Sequence, residues 1–217
     1  MYLVDVQLVP YTKDRDLAGR LMASWRHVED ILRAFLPLRW NVGGIGKLNV
    51  LLELDVPVSQ ECVMSSGFLE VRRKGFDAAR FLALPEDAQD LESLSMLEEG
   101  LRVACARGGV VDEPARTAVL NTRETGFRHQ WSWKKLAKWN PSRSLHAEVM
   151  VTYRRGGTDV ALRITRRAGG LVVDDSIVTG QYWPSAWFTF FRSRWEGSEF
   201  VVFSRVGKEV LRRRSAA

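Results

Sequence analysis

The chain has 217 residues, of which 46% are hydrophobic and 27% are charged, a composition typical of a globular protein and not of a disordered or fibrous one. Its formal net charge of +6 is unevenly divided, because residues 1–122 carry a balance of −4 and residues 123–217 a balance of +10. The N-terminus lacks the basic region of a signal peptide, no run approaches the roughly 18 apolar residues of a membrane span, and two cysteines cannot build a disulfide framework, so we expect a cytoplasmic protein.

The first predicted elements are a strand and a long amphipathic helix. Val4, Val6 and Leu8 alternate with polar residues, which is the period of a half-buried strand. An apolar stripe then recurs at helical spacing until Pro37, which ends the helix. The stripe consists of Leu17, Leu21, Trp25, Val28, Ile31, Leu32 and Phe35, and the solvated face is expected to hold Arg20, His27, Asp30 and Arg33.

A glycine-rich connection at residues 41–46 leads into predicted strands at 47–56, 68–72 and 76–84. Glycines followed by a lysine also occur in phosphate-binding loops. Such a loop needs a different glycine spacing, Ser or Thr after the lysine, and a helix at that point. We therefore interpret the segment as a flexible connection.

A second amphipathic helix is predicted to begin after Pro85, because Glu86 and Asp87 in its first turn suit the helix dipole. Cys105 lies beside its apolar stripe, which indicates a buried and unreactive thiol. A short third helix is predicted at residues 112–120. The stripe of the second helix consists of Ala88, Leu91, Leu94, Leu97, Leu101 and Ala104.

Residues 127–139, which read FRHQWSWKKLAKW, open the basic half and are here named the basic-aromatic segment. The surrounding residues 123–155 contain eight Lys and Arg but only two acidic residues. The tryptophans can cover the protein core while the lysines remain solvated, since Trp is usually mostly buried. Alternatively, the tryptophans and lysines together form a surface that binds a partner.

The rest of the chain is predicted to form an antiparallel meander of about five strands between residues 145 and 206, separated by glycine and proline turns. Residues 200–203 are apolar on both faces, which predicts an interior strand. The arginines at 212–214 are interpreted as solvated and favourably placed near a helix C-terminus.

The predicted fold class is α+β, with this antiparallel sheet packed by the two amphipathic helices of the N-terminal half. We expect a single domain over residues 1–217. The change of charge predicts a weak subdivision into an acidic half, 1–122, and a basic half, 123–217.

The sequence contains no recognisable catalytic or metal-binding motif. His27, His129 and His146 lack a second His or Cys at ligand spacing. Asp174 and Asp175 are adjacent on a predicted strand and should point to opposite faces. We expect a non-enzymatic protein without a metal or cofactor, with an enzyme or small-ligand binder of scattered site residues as an alternative.

The predicted function is the binding of an acidic protein partner, because Trp and Arg are the residues that dominate protein interfaces. A nucleic-acid-binding module is the alternative, since rings can stack on bases while cations meet phosphates. In size, one-sided charge and absence of a catalytic motif, the chain resembles small bacterial binding proteins such as toxin-neutralising immunity proteins, which implies an immunity-type inhibitor. The predicted binding residues are Arg128, Trp131, Trp133, Lys134, Lys135, Lys138 and Trp139.

Overall fold

The computed structural model describes residues 1–55, 62–181 and 190–215. The chain divides into two compact units, Met1–Phe127 and Arg128–Ala217. The boundary between them lies close to the predicted change of charge. The α+β class, the helices of the N-terminal half and the antiparallel C-terminal meander are confirmed.

The N-terminal unit contains a four-stranded sheet in the order β1-β2-β4-β3. Strands β1, β2 and β4 pair in parallel, and the short strand β3 is antiparallel to β4. Parallel neighbours need long crossover connections, and α1 fills the connection between β1 and β2. The strands are β1 Asp5–Tyr11, β2 Lys47–Glu53, β3 Cys62–Ser65 and β4 Phe68–Arg73, and the helices are α1 Arg15–Phe35, α2 Ala78–Ala83, α3 Glu86–Gly108 and α4 Glu113–Glu124.

Helix α1 begins at an N-cap, because the side chain of Asp14 accepts hydrogen bonds from the backbone N–H groups of Asp16 and Leu17, both at 3.0 Å. The centre of the predicted apolar stripe is fully buried against the sheet and neighbouring helices. The prediction of a solvated opposite face is wrong for His27 and Asp30, which are also buried. The Nε2 atom of His27 lies 3.1 Å from Oδ1 of Asp90 on α3, and Asp30 pairs with Arg33, contacts that hydrophobic periodicity cannot reveal.

Helix α3 confirms most of its predicted stripe, since Leu94, Leu97 and Leu101 are fully buried, but the prediction is wrong for Leu91, which is 46% exposed. The buried face is centred partly on small residues. A Cβ atom on Gly100 would lie 2.4 Å from Cγ2 of Val50 on β2, so glycine alone permits this close approach. The helix is therefore rotated relative to the face that its leucines alone predict.

The predicted strand at residues 76–84 is wrong, because Ala78–Ala83 form helix α2. The side chain of Asp77 accepts a hydrogen bond from the backbone N–H of Arg80 at 2.9 Å and so caps the helix. Phe81 is fully buried, with its ring centroid 5.7 Å from that of Trp25. The apolar run gave no clear periodicity, and the cap residue was the signal that the sequence interpretation missed.

The C-terminal unit contains two antiparallel sheets. The first has the order β5-β7-β8-β9, and β6 pairs with a separate part of β7. The second has the order β10-β11-β12. The strands are β5 His129–Ser132, β6 Lys138–Trp139, β7 Leu145–Arg154, β8 Gly157–Arg166, β9 Leu171–Gln181, β10 Arg192–Glu196, β11 Glu199–Phe203 and β12 Glu209–Arg214.

The prediction that residues 145–206 form one sheet is corrected to two sheets, although the interior place of residues 200–203 is confirmed. Strand β11 pairs with β10 on one side and β12 on the other, and Phe200, Val201 and Val202 are fully buried. Residues 182–189, which fall within the predicted meander, lie outside the described residues. Among the described helices, none is long and apolar enough to cross a membrane.

Candidate functional site

The basic-aromatic segment forms two short strands joined by a tight turn, and no part of it is helical. Strand β5 pairs with β7 in the register Trp131 to Val151, and β6 pairs with β7 in the register Trp139 to His146. Between them, the backbone N–H of Leu136 donates to the carbonyl of Trp133 at 2.8 Å. Strand alternation within the segment sends its side chains in different directions.

The three tryptophans of the segment lie in different environments. Trp133 is buried, with only 4% of its surface exposed, and its ring centroid is 6.2 Å from that of half-buried Trp131. Trp139 is 48% exposed. One face of its ring stacks on His146, with ring centroids 4.6 Å apart and an angle of 28° between the planes. Trp133 therefore covers the core, whereas Trp139 presents a ring at the surface.

The cationic residues of the predicted site are all exposed, namely Arg128, Lys134, Lys135 and Lys138. The Nζ of Lys135 lies 3.6 Å from the ring centroid of Phe191, a cation–π contact. Within the described parts of the chain, the other three cations form no ion pair. The structure thus brings these four cations and Trp139 to the surface, whereas Trp133 points into the interior.

Strand β10 holds the segment in place through hydrogen bonds from side chains to the backbone. The hydroxyl of Ser193 donates to the carbonyl of Leu136 at 2.7 Å, and the indole N–H of Trp195 donates to the carbonyl of Lys138 at 3.0 Å. The carbonyl of Leu136 lies in the turn between β5 and β6, and that of Lys138 belongs to β6. The exposed cations are therefore carried on a backbone with fixed geometry.

Two further arginines, Arg143 and Arg167, were missed as site residues. They line an open pocket of about 510 Å³ together with Trp139, Asn140 and Pro141. Arg143 lies in the loop between β6 and β7, and Arg167 lies in the loop between β8 and β9. The sequence did not indicate that these two positions lie near each other, because the pairing of β7 with β8 that brings the two loops together is a tertiary feature.

The arginines of the C-terminal strand are part of a different arrangement. The prediction that they lie near a helix C-terminus is wrong, because they belong to β12. The guanidinium of Arg212 forms ion pairs with Glu196, Glu199 and Glu209 at 2.7 to 2.9 Å, and that of Arg213 pairs with Asp175 at 2.7 Å. Because intramolecular carboxylates already neutralise these two arginines, they contribute little to a binding surface.

A serine, a glutamate and a histidine lie close together beside the segment, but their order does not suit nucleophilic catalysis. Ser132 donates to Oε1 of Glu148 at 2.7 Å, and Nδ1 of His146 lies 3.7 Å from Oε2 of the same carboxylate. The carboxylate separates the hydroxyl from the imidazole, so the histidine cannot take the hydroxyl proton directly. In residues 1–55, 62–181 and 190–215, no cluster of His, Cys, Asp and Glu could hold a metal ion.

The N-terminal unit contains buried carboxyl groups that are most simply explained by folding. Burial raises the pKa of Glu29 to about 8, while its Oε1 accepts a hydrogen bond of 2.7 Å from the backbone N–H of Leu8. Burial also raises the pKa of Asp30, which pairs with Arg33 at 2.5 Å. Glu29 thereby joins α1 to β1, and the two carboxyl groups do not converge on a cavity found among the described residues.

Comparison of the chain with protein-family models, with curated proteins and with solved structures finds no match. The class of protein therefore has to be inferred from the residues and their geometry.

Proposed function

We propose that this protein is a non-enzymatic binding protein that docks an acidic protein partner through the basic-aromatic segment and the two neighbouring arginines. The observation that carries the proposal is an exposed Trp139 in a region rich in solvated cations. A half-exposed Trp provides apolar area for an interface, and cations around it match an acidic partner and suppress wrong ones. An immunity-type inhibitor belongs to this class.

Several cations of this surface form no ion pair with any described residue, which supports the proposal. Elsewhere in the C-terminal unit, several cations are matched by carboxylates, as in the pairs Arg154–Asp159 and Arg163–Asp174. Lys134, Lys138 and Arg143 have no ion-pair partner in the described residues. Unmatched cations produce a positive field that speeds the association of an acidic surface.

The exposure of the aromatic rings favours a protein partner over nucleic acid. Single-stranded nucleic acid is bound by several exposed rings, on which successive bases stack. Here Trp133 is buried and Trp131 is half-buried, so the segment offers one well-exposed ring. One ring surrounded by cations is sufficient as an interface anchor.

The test is a double charge reversal, Lys134→Glu with Lys138→Glu. A matched control with the same change in net charge is Arg20→Glu with Arg39→Glu, since both arginines are exposed and lie in the acidic half. Partners retained by the wild type and by the control are identified by mass spectrometry and purified. We expect the association rate with such a partner to fall about tenfold in the Lys134/Lys138 variant and little in the control, with melting temperatures unchanged.

Equal association rates in the two double variants would refute the proposed surface. A homopolymeric oligonucleotide is measured in parallel. If it binds the wild type with an affinity that falls steeply and linearly with salt on logarithmic axes, the surface is a nucleic-acid interface instead.

A further inference from the structure

The open pocket beside Trp139 combines apolar and cationic side chains. Its lining contains the half-exposed indole of Trp139 and the apolar ring of Pro141. It also contains two exposed arginines, Arg143 and Arg167, neither of which forms an ion pair with any described residue. An apolar floor with two guanidinium groups is complementary to a group that is both flat and anionic.

Hydrogen bonds organise the pocket before any ligand arrives. The side-chain oxygen of Asn140 accepts from the backbone N–H groups of Ser144 and Leu145, at 2.9 and 3.1 Å. The backbone N–H of Arg167 donates to the carbonyl of Ser144 at 2.8 Å and so ties the second loop to the first. The two arginines therefore stand on joined loops, which reduces the conformational entropy that binding would cost.

Folding does not explain the arginine at position 143. Its backbone has a φ of 54°, in the left-handed region that glycine adopts freely and that other residues adopt with strain. A glycine would satisfy this turn better, so the backbone geometry does not require the side chain that is present. The guanidinium that this side chain carries lines the pocket.

The exposed ring of Trp139 is presented in a defined orientation. His146 stacks on one face of the indole and limits its rotation. The exposed part of the ring can therefore receive a flat apolar group at stacking distance, while the neighbouring arginines bind carboxylates.

We infer that this pocket is the specificity subsite of the proposed surface and that it takes an acidic peptide segment with an aromatic residue among its carboxylates. The inference rests on the proposed function and names the partner's chemistry. The aromatic ring of the segment stacks on Trp139, and Arg143 and Arg167 bind the flanking carboxylates.

The experiment uses two synthetic peptides of equal charge, one with four acidic residues around a central phenylalanine and one with alanine at the centre. Binding to the ¹⁵N-labelled full chain is followed by the indole N–H resonance of Trp139. We expect the phenylalanine peptide to shift this resonance and to bind about tenfold more tightly than the alanine peptide, because ring stacking adds to charge pairing.

The discriminating variant is Arg143→Gly, since glycine suits the backbone at this position and should leave the melting temperature equal or higher. We expect it to weaken binding of the phenylalanine peptide about tenfold, the effect of losing a charge-assisted hydrogen bond. Arg167→Gln should act in the same direction. Arg20→Gln removes one exposed charge from α1 and serves as the control.

Equal affinity for the two peptides, no shift of the Trp139 resonance, or the same affinity in Arg143→Gly and Arg20→Gln would each overturn the subsite. If the Lys134/Lys138 double variant still slows association of an acidic partner, the proposed function survives without the subsite. Tighter binding of a homopolymeric oligonucleotide than of both peptides would overturn both.

Discussion

At the scale of single residues, Glu29 shows how a buried titratable group can satisfy a backbone donor. Its carboxylate accepts the hydrogen bond from Leu8 N–H, which would otherwise be a buried donor without a partner. Arg26 and Arg33 lie 3.9 and 4.0 Å from the same side chain and favour its charged form. Burial is the larger effect, so the pKa is raised to about 8.

The raised pKa makes stability depend on pH. Folded Glu29 holds its proton up to about pH 8, whereas the unfolded side chain loses it near 4.5, so this group lowers the free energy of unfolding as pH rises between those values. Glu29→Gln keeps an oxygen acceptor for Leu8 but cannot titrate. As pH rises from 5 to 8, we expect the free energy of unfolding of the variant to increase relative to that of wild type, on the order of 4 kcal/mol at most. Urea denaturation across this range measures it, and parallel pH profiles would contradict it.

Trp133, which is buried, and Trp139, which is half exposed, provide a second test. Trp133→Ala should cost about 3–5 kcal/mol of unfolding free energy, because it removes a buried ring and leaves a cavity. Trp139→Ala should cost about 1 kcal/mol or less, since half of the ring is already in water. Urea denaturation of the two variants is the measurement. Similar losses would mean that the segment covers the core with both rings.

At the scale of elements, α3 shows what hydrophobic periodicity can and cannot predict. The helix, its start after Pro85 and most of its buried leucines follow from the sequence. The rotation that exposes Leu91 depends on Gly100, which packs against Val50. Small residues contribute little to a hydrophobic pattern although they permit the closest packing, so the helix face was only partly predictable.

A pair of substitutions on α3 measures this rotation. Leu97 is fully buried, so Leu97→Ala should lower the free energy of unfolding by about 2–5 kcal/mol. Leu91→Ala, on the same helix and of identical chemistry, should cost about 1 kcal/mol or less because the side chain is 46% exposed. Urea denaturation compares the two, and a larger loss at Leu91 would mean that the helix is rotated the other way.

The pairing of strands was the least predictable property of the elements. Alternation and glycine turns predicted an antiparallel meander, and β7 and β8 form one of its hairpins. Nothing in the alternation of β1 or β2 indicated that they pair in parallel, because partner choice depends on contacts between distant residues. The same limitation explains why the pocket formed by the loops at 143 and 167 was not foreseen.

At the scale of the whole molecule, the distribution of charge matters more than its total. The N-terminal unit carries a balance of −4 and the C-terminal unit a balance of +10. Interactions with a charged surface depend on the local field, which decays over a Debye length of about 8 Å at physiological salt. The net charge of +6 therefore understates how the C-terminal unit responds to an anionic surface.

Cation-exchange chromatography can test this asymmetry. The Lys134→Glu/Lys138→Glu and Arg20→Glu/Arg39→Glu double variants have the same net charge and differ only in the unit that is changed. We expect the first to elute at clearly lower salt than the second, because retention depends on the exposed positive region. Coincident elution of the two would show that net charge, and not the C-terminal surface, controls retention.

The edge of the N-terminal sheet has a consequence for the behaviour of the protein at high concentration. The carbonyl of Tyr11 accepts a hydrogen bond from the backbone N–H of Leu54, so the backbone polar groups of Tyr11 point toward β2. Those of Pro10 and Leu8 therefore point away from β2, toward the open edge of the sheet. Proline has no N–H to offer, and the N–H of Leu8 is already occupied by Glu29. A strand from another molecule that approached β1 would receive no backbone N–H hydrogen bond at these two positions. Their lack of a free donor protects the sheet from growing into intermolecular aggregates along this edge.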